Sequence, residues 1–300
     1  MTALLAVVLA LALDALLGEP RRLHPLVLFG RFAERIESGV YGKKRWRGIV
    51  AVFVCIAPFA AVATLTREWN YGWILDAILL YLAVGWHSLN AHARPVREAL
   101  RNDELVQARM RVGLMVSRDT ASMQPGDVSK AAVESVLENG NDAVFGAIFW
   151  FALAGAPGVV AYRLANTLDA MWGYRTERYD AFGWAAARLD DAMNFIPARL
   201  TALSYAIAGH TGSALRCWIA QAKHWDSPNA GPVMAAGAGS LRIALGGPAS
   251  YHGKIEDRPV LGVGSAPRAM DIDRALRLID RSLVLWLMVL GAGALFAYAH

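Results

Sequence analysis

"GIVAVFVCIAPFAAVATLT", residues 48–66, is the stretch that decides the class of fold. Its nineteen residues carry no charged side chain. A helix of that length rises about 28 Å, close to the hydrocarbon thickness of a bilayer. Downstream, "GWILDAILLYLAVGW" (72–86) is shorter and includes Asp76, and "LVLWLMVLGAGALFAYA" (283–299) is a second clear span. Upstream, "MTALLAVVLALALDALLG" (1–18) lacks a basic n-region and a cleavage site, so residues 1–17 read as a retained helix and not as a signal peptide. Two runs admit several readings. Residues 143–162 are long enough to span but contain Gly155, Pro157 and Gly158, and residues 195–209 contain Pro197 and Arg199. Each is spanning, re-entrant or interfacial.

With 56% hydrophobic and 18% charged residues in 300, an ordinary soluble protein is excluded. The expected fold is an all-α polytopic integral membrane protein, one domain over residues 1–300, with roughly four to six membrane-associated helices and large helical cytoplasmic loops. The net charge of +5 does not point to nucleic acid, because the basic residues gather in loops. Arg21, Arg22, Arg31, Arg35, Lys43, Lys44, Arg45 and Arg47 lie between the first two helices and mark the cytoplasmic side. That places the N-terminus outside, the link with Arg67 and Glu68 outside, and loops 87–142 and 210–281 inside. Cys55 and Cys217 form neither a disulfide framework nor a zinc pattern.

Three polar segments hold the residues that could carry chemistry. In "VSRDTASMQPGDVSKAAVESVLENGND" (116–142), Asp127 is a plausible N-cap and Gly140 a C-terminal stop for one helix. Glu134 and Glu138 then share a face, with Asn139 and Asp142 near its end. The plain reading is a solvated face on which Lys130 pairs with Glu134. The alternative is a Mg²⁺ ion brought by a phosphorylated ligand, since Mg²⁺ prefers one or two carboxylates plus phosphate oxygens. In "YRLANTLDAMWGYRTERYDAFGWAAARLDDAMNFIPARL" (162–200), Asn166, Thr167 and Asp169 fall within one turn, followed by a turn rich in aromatic residues and arginine. From about Phe182 a further helix sets Arg188 three residues before Asp191, and Asp190 four before Asn194. An Arg188–Asp191 pair leaves Asp190 unexplained beside an apolar run, where an ionisable residue is read as functional. The third segment, 223–254, has a "DSPNAG" turn after which a helix should begin, and a Gly246-Gly247-Pro248 turn leading to Tyr251. His24 reads as a loop residue or a ligand contact. The sequence has no Walker, GxSxG or HExxH motif.

Taken in order, the segments resemble the CobD/CbiB family, the membrane-bound adenosylcobinamide-phosphate synthases. The resemblance is carried by "LDALLGEPRRLHPLVLFG" (13–30), "SRDT" (117–120), "VESVLENGND" (133–142), "GAPGVVAYRLANTLDAMWGY" (to 174), "FGWAAARLDDAMNFIPARL" (182–200), "SPNAG" (227–231), "LGG" and "YHG" (to 253). It implies an ATP-dependent amide ligase that joins (R)-1-amino-2-propanol O-phosphate, or aminopropanol, to a propionate of adenosylcobyric acid, with Mg²⁺. The site would face the cytoplasm of a bacterial inner membrane. It implies Glu134, Glu138, Asp142, Asp190 and Asp191 as catalytic, with Glu134, Glu138, Asp190 and Asp191 as Mg²⁺ ligands. His24, Ser117, Arg118, Asp119, Asn139, Asn166, Asp169, Tyr174, Arg188, Asn194, Arg199, Ser227 and Asn229 would bind substrate or phosphate. The expected partners are the corrinoid, the aminopropanol compound and the bilayer, with no nucleic acid; a complex with other cobalamin-assembly enzymes is a further conjecture. The sequence departs from the family where Pro232-Val233-Met234 replaces a Trp-Pro-Glu segment. A signalling protein similar to AmpE, or a corrinoid-binding scaffold, is the competing reading.

Overall fold

The computed structural model describes residues 2–20, 24–251 and 253–299. Arg21 and Arg22 of the basic cluster, the side chain of Arg67, and His252 lie outside the described residues. In chain order the helices are α1 (Thr2–Leu17), α2 (Pro25–Val40), α3 (Arg45–Ala63), α4 (Gly72–Ala83), α5 (Trp86–Arg101), α6 (Leu105–Val112) and α7 (Pro125–Asn139). They continue with α8 (Gly146–Trp172), α9 (Tyr179–Phe182), α10 (Trp184–Ala208), α11 (Thr211–Gln221), α12 (Ala230–Leu241) and α13 (Ala269–Ala299). Four three-residue strands, β1 (Ala244–Gly246), β2 (Ala249–Tyr251), β3 (Lys254–Glu256) and β4 (Val260–Gly262), pair antiparallel as β1–β4 and β2–β3. The all-α membrane fold expected from the sequence is therefore present.

By length and hydropathy, four helical stretches can cross a membrane: Arg45–Thr66, Gly72–Arg101, Pro125–Trp172 and Ala269–Ala299. The N-terminal run forms only the shorter apolar helix α1. Residues 195–209 continue α10 in spite of Pro197.

The chain divides into two compact units, Met1–Trp86 with Asp142–Asn194, and His87–Asn141 with Phe195–His300. In the first, the small and medium residues Ala51, Val52, Cys55 and Ile56 of α3 meet Leu164, Ala165, Leu168 and Trp172 of α8. Small residues let membrane helices approach closely. At Gly48 an added Cβ would lie 1.9 Å from the Phe182 carbonyl oxygen. Glu37 is buried where α2 meets this core and accepts hydrogen bonds from Trp172 Nε1 (2.9 Å), Arg178 Nη2 (2.7 Å) and Tyr179 Oη (3.2 Å). Arg178 also stacks on Tyr41, 4.5 Å from the ring centre.

The apolar run 143–162 folds back on itself. Gly155 adopts φ 67° and ψ −153°, a conformation essentially reserved for glycine, and breaks α8 there. An added Cβ at Gly158 would meet the Trp150 carbonyl oxygen at 2.5 Å, and one at Gly146 would meet Tyr162 Oη at 2.1 Å. Residues eight and sixteen apart along a straight helix would be separated by about 12 and 24 Å. Their contact shows a helical hairpin with its tip at Gly155.

In the second unit, α12 is buried on every side, as its sequence "AGPVMAAGAGSL" allows. It packs against α7, α11, α13 and β4. The first half of α13 buries Ile272, Ala275, Leu276 and Ile279, whereas Val284, Met288, Val289 and Phe296 beyond it are exposed, as suits a lipid-facing end. Arg97 Nη1 donates to both carboxylate oxygens of Asp273 at 2.9 Å and ties α5 to α13.

The structure corrects three local expectations. The N-cap of α7 is Gln124, and Asp127 sits at its third position, where it accepts from Gln124 N at 3.1 Å to complete a capping box. Gly140 does not stop the helix. With φ −55° and ψ −42° it continues into a π-helical turn, Gly140–Phe145. Lys130 lies 4.0 Å from Asp127 and does not pair with Glu134, which has stronger partners.

Candidate active site

The second unit contains a cavity of about 380 Å³ built around α7. Glu134 and Glu138, one turn apart, both line it, as the i,i+4 spacing requires. Glu134 is 2% exposed and fully engaged. It accepts from Arg118 Nη2, from Arg258 Nη1 and Nη2 (3.2 and 3.3 Å), and from the Gly246 amide (2.7 Å). Gly246 presents that amide from a turn with φ +73°, and an added Cβ would lie 2.0 Å from the Pro259 carbonyl oxygen. Arg258 donates through Nε to the Gly247 carbonyl (3.1 Å) and sits over the Trp225 ring; Arg118 sits over Tyr251. Both guanidiniums are nearly buried and still line the cavity.

Glu138 is exposed within this cavity, and Asp226 and Glu256 line it too. The lining therefore offers two cations, one neutralised carboxylate and three further carboxylates. Ser117 and Asn139 are in the lining, Asn139 donating to the Ser135 carbonyl at 2.8 Å. Met234, which stands in the segment where the family resemblance expects Trp-Pro-Glu, is buried in the wall.

Other predicted residues of this unit hold the frame. Asp119 accepts from Ser250 Oγ (2.9 Å) and the Gly253 amide (2.7 Å), clasping the β2–β3 hairpin. Ser227 Oγ accepts from the Asn229 and Ala230 amides at the start of α12. Arg199 stacks on Phe195 and donates to Asn229 Oδ1 (3.0 Å) and the Pro228 carbonyl (3.2 Å), which locks the "SPN" turn. Burial holds the Arg199 pKa below its usual value. Arg199 also lines a second cavity of about 450 Å³, together with Trp218 and Lys223, and this cavity shares Trp225 and Asp226 with the first.

The first unit gathers a different set. Asp190 is held by carboxamides: Asn166 Nδ2 donates at 3.3 Å and Asn194 Nδ2 at 3.1 Å to each oxygen. Tyr162 Oη fixes Asn194 by donating to its Oδ1 at 2.9 Å, and also reaches the Asp142 carbonyl at 3.1 Å. Burial raises the Asp190 pKa, the two carboxamides and the Arg163 charge oppose that rise, and the Asp191 charge adds to it. Burial also raises Asp191, against the charges of Arg188 and Arg175. Asp169 is close enough to interact electrostatically with both aspartates. Arg188 pairs with Asp191 at 3.6 Å, as the spacing predicted. His24 is the N-cap of α2, its Nδ1 accepting from the Leu26 amide at 3.2 Å, and burial lowers its pKa. Tyr174 is exposed in the turn after α8.

Among the described residues, no three His, Cys, Asp or Glu side chains form a group that could hold a metal ion by themselves. A Mg²⁺ ion would need oxygens from elsewhere, as it does when it arrives with phosphate. Glu134 is already engaged by two guanidiniums and an amide, which leaves Glu138 and Asp226 as the lining carboxylates that such an ion would meet.

Sequence reasoning missed Arg258, Trp225 and Asp226. Arg258 lies 124 residues from Glu134 in a stretch, "KIEDRPVLG", with no local signature.

Comparison with known proteins places the chain. The CobD/Cbib protein family matches residues 7–279. A cobalamin biosynthesis protein CobD from Stutzerimonas stutzeri is 55% identical over 97% of both chains. Proteins of the same name from Chromobacterium violaceum and Mycobacterium tuberculosis are 53% and 39% identical, the latter over 92% of this chain and 90% of its own. No solved structure matches. With the family matched over nearly the whole length, the chain belongs to the CobD/CbiB family.

Proposed function

We propose that the chain acts in cobalamin biosynthesis as an ATP-dependent amide ligase, attaching aminopropanol O-phosphate to a propionate of adenosylcobyric acid. The names of its relatives support the pathway. The observation that carries the chemistry is the mixed charge of the 380 Å³ cavity. Aminopropanol phosphate is a small zwitterion with an ammonium at one end and a phosphate at the other. A cavity with two arginines and several carboxylates matches both ends, and planar guanidinium forks suit phosphate.

A carboxylate is a poor acyl donor, so the propionate must first be activated by transfer of the ATP γ-phosphoryl to its oxygen. The amine nitrogen then attacks the acyl carbon, the C–O bond to phosphate breaks, and the nitrogen gives up a proton. In this reading Arg118 and Arg258 hold phosphate, Glu138 takes the proton, and Glu134 keeps both guanidiniums in place. Mg²⁺, when bound beside Glu138 and Asp226, would neutralise phosphate charge. The cavity lined by Trp218, Trp225 and Lys223 offers aromatic faces and a cation for a nucleotide. The corrinoid, with its many amides, is too large for either cavity alone.

The test uses the purified chain in nanodiscs with adenosylcobyric acid, aminopropanol phosphate, ATP and Mg²⁺, following product by mass spectrometry. The wild type should form the amide. Glu138→Gln should lose about 10²–10⁴-fold in rate while still binding the aminopropanol phosphate. A wild type that binds corrinoid but never forms product would replace this reading with a scaffold.

A further inference from the structure

Tyr251 reaches the α7 cavity from the β2–β3 hairpin, in which Ala249 pairs with Glu256, Ser250 with Ile255 and Tyr251 with Lys254. Successive side chains of a strand point to opposite faces, so Tyr251 and Glu256 share one face and Ser250 and Ile255 the other. The first two line the cavity, while Ile255 is exposed and Ser250 meets Asp119. Asp119 fixes the hairpin with its backbone and its side chain together. Its amide donates to the Ser250 carbonyl at 2.9 Å, and its Oδ2 accepts from Ser250 Oγ and from the Gly253 amide.

The Tyr251 hydroxyl accepts from Arg258 Nη1 at 3.5 Å. A guanidinium only donates, so the phenol's own hydrogen points elsewhere, and no described residue accepts it. Arg118 lies against the ring, 6.0 Å from its centre. Its Nη2 is engaged by Glu134, whereas its Nε and Nη1 have no partner among the described residues and are not buried. Two guanidiniums share one carboxylate, so the Arg118–Glu134–Arg258 group carries a positive charge in excess. Among the described residues, Glu138, Asp226 and Glu256 pair with neither arginine. A phosphate monoester brings negative charge and three acceptor oxygens to such a place, where an alcohol brings one neutral oxygen.

We propose that Tyr251 is a specificity-determining residue of this cavity: with Arg118 and Arg258 it donates to a phosphate monoester, and Asp119 is the positioning residue that holds it there. This rests on the reading of the α7 cavity as the aminopropanol phosphate site. It adds what turns the unphosphorylated amine away. A site built to hydrogen-bond a group rejects the analogue that lacks it, because its donors are then left unmatched.

The experiment is calorimetry on the purified full-length chain in nanodiscs, titrated with aminopropanol phosphate and separately with aminopropanol. The wild type should prefer the phosphate. Tyr251→Phe, which removes one oxygen atom, should weaken phosphate binding about 10- to 100-fold and leave the aminopropanol affinity as it was. Asp119→Ala should show the same selective loss, and Asp119→Asn, whose oxygen still accepts from the hairpin, should regain part of it. Equal weakening of both ligands by Asp119→Ala would make Asp119 merely structural and overturn its positioning role. If that variant does not fold, Tyr251→Phe and Asp119→Asn decide. A wild-type preference that survives Tyr251→Phe overturns the proposal and leaves the ligase reading standing. A wild type without preference overturns the proposal together with the phosphate site it rests on. A preference that depends on Tyr251 in a chain that never forms the amide upholds the proposal and removes the ligase reading alone.

Discussion

Glu134 and Asp190 are both carboxylates on helices, one in each unit, and their surroundings treat charge in opposite ways. Around Glu134 stand two guanidiniums and a backbone amide, all donating to it. Around Asp190 stand two neutral carboxamides, with Asp191 beside it. The first arrangement fixes an ionised carboxylate as part of a frame. The second holds a carboxyl by neutral donors beside a second carboxylate, with one guanidinium, Arg163, acting on its charge from a distance, and burial leaves the balance on the side of the protonated form. A buried acid is therefore not by itself a reactive one; its partners decide.

The sharpest way to break this contrast is to remove the fixed anion. Glu134→Ala leaves Arg118 and Arg258 facing each other, both nearly buried and without their shared partner. Losing one member of a buried ion pair costs about 3–5 kcal/mol. Denaturant unfolding of the purified chain should show a loss of that size. A loss under about 1 kcal/mol would mean that the arginines find water or other acids easily, as surface pairs do, and that Glu134 is no frame.

The same contrast explains what could be read from sequence. Hydropathy located the apolar helices, because a span needs only length and composition. Spacing located Glu134 with Glu138 on one face, and Arg188 with Asp191, because helical neighbours are three or four residues apart. Arg258 was out of reach: it arrives at Glu134 through a strand pair, and only the fold supplies that proximity. Reading Gly140 as a stop failed for a related reason. Glycine ends helices through positive φ, and here packing keeps it helical, with Tyr205 Oη and the Ile279 side chain within 3 Å of where a Cβ would stand.

A second prediction concerns how the Asp190 environment is held. Asn194 is oriented by Tyr162, which stands on the second arm of the hairpin that turns at Gly155. Gly155→Ala forces a residue with a Cβ into a region that only glycine tolerates, at about 1–3 kcal/mol. The loss should appear with the Glu134 ion pairs intact, seen as unchanged protection of the α7 amides in hydrogen exchange and faster exchange around 184–194. Equal loosening in both segments would show that the carboxamide setting of Asp190 does not depend on the hairpin.

The smallest effect tests the charge state of Asp190 directly. Burial raises its pKa above that of an unfolded chain, about 3.9. The folded chain thus binds the proton more tightly than the unfolded one. The resulting stabilisation is fully present below the unfolded pKa and is lost as pH rises through the folded pKa. Asp190→Asn cannot titrate, and its extra amide hydrogens oppose those of Asn166 and Asn194, so it should be the less stable protein in acid. As pH rises, the wild type loses its proton-linked stability while the variant does not, and the gap in Tm should narrow by a few degrees at most. Asp191 remains in both proteins, so its own titration largely cancels in the difference. A gap that widens with pH would mean that the ionised form is the stabilised one, making Asp190 a second fixed anion like Glu134 and removing the contrast between the two units.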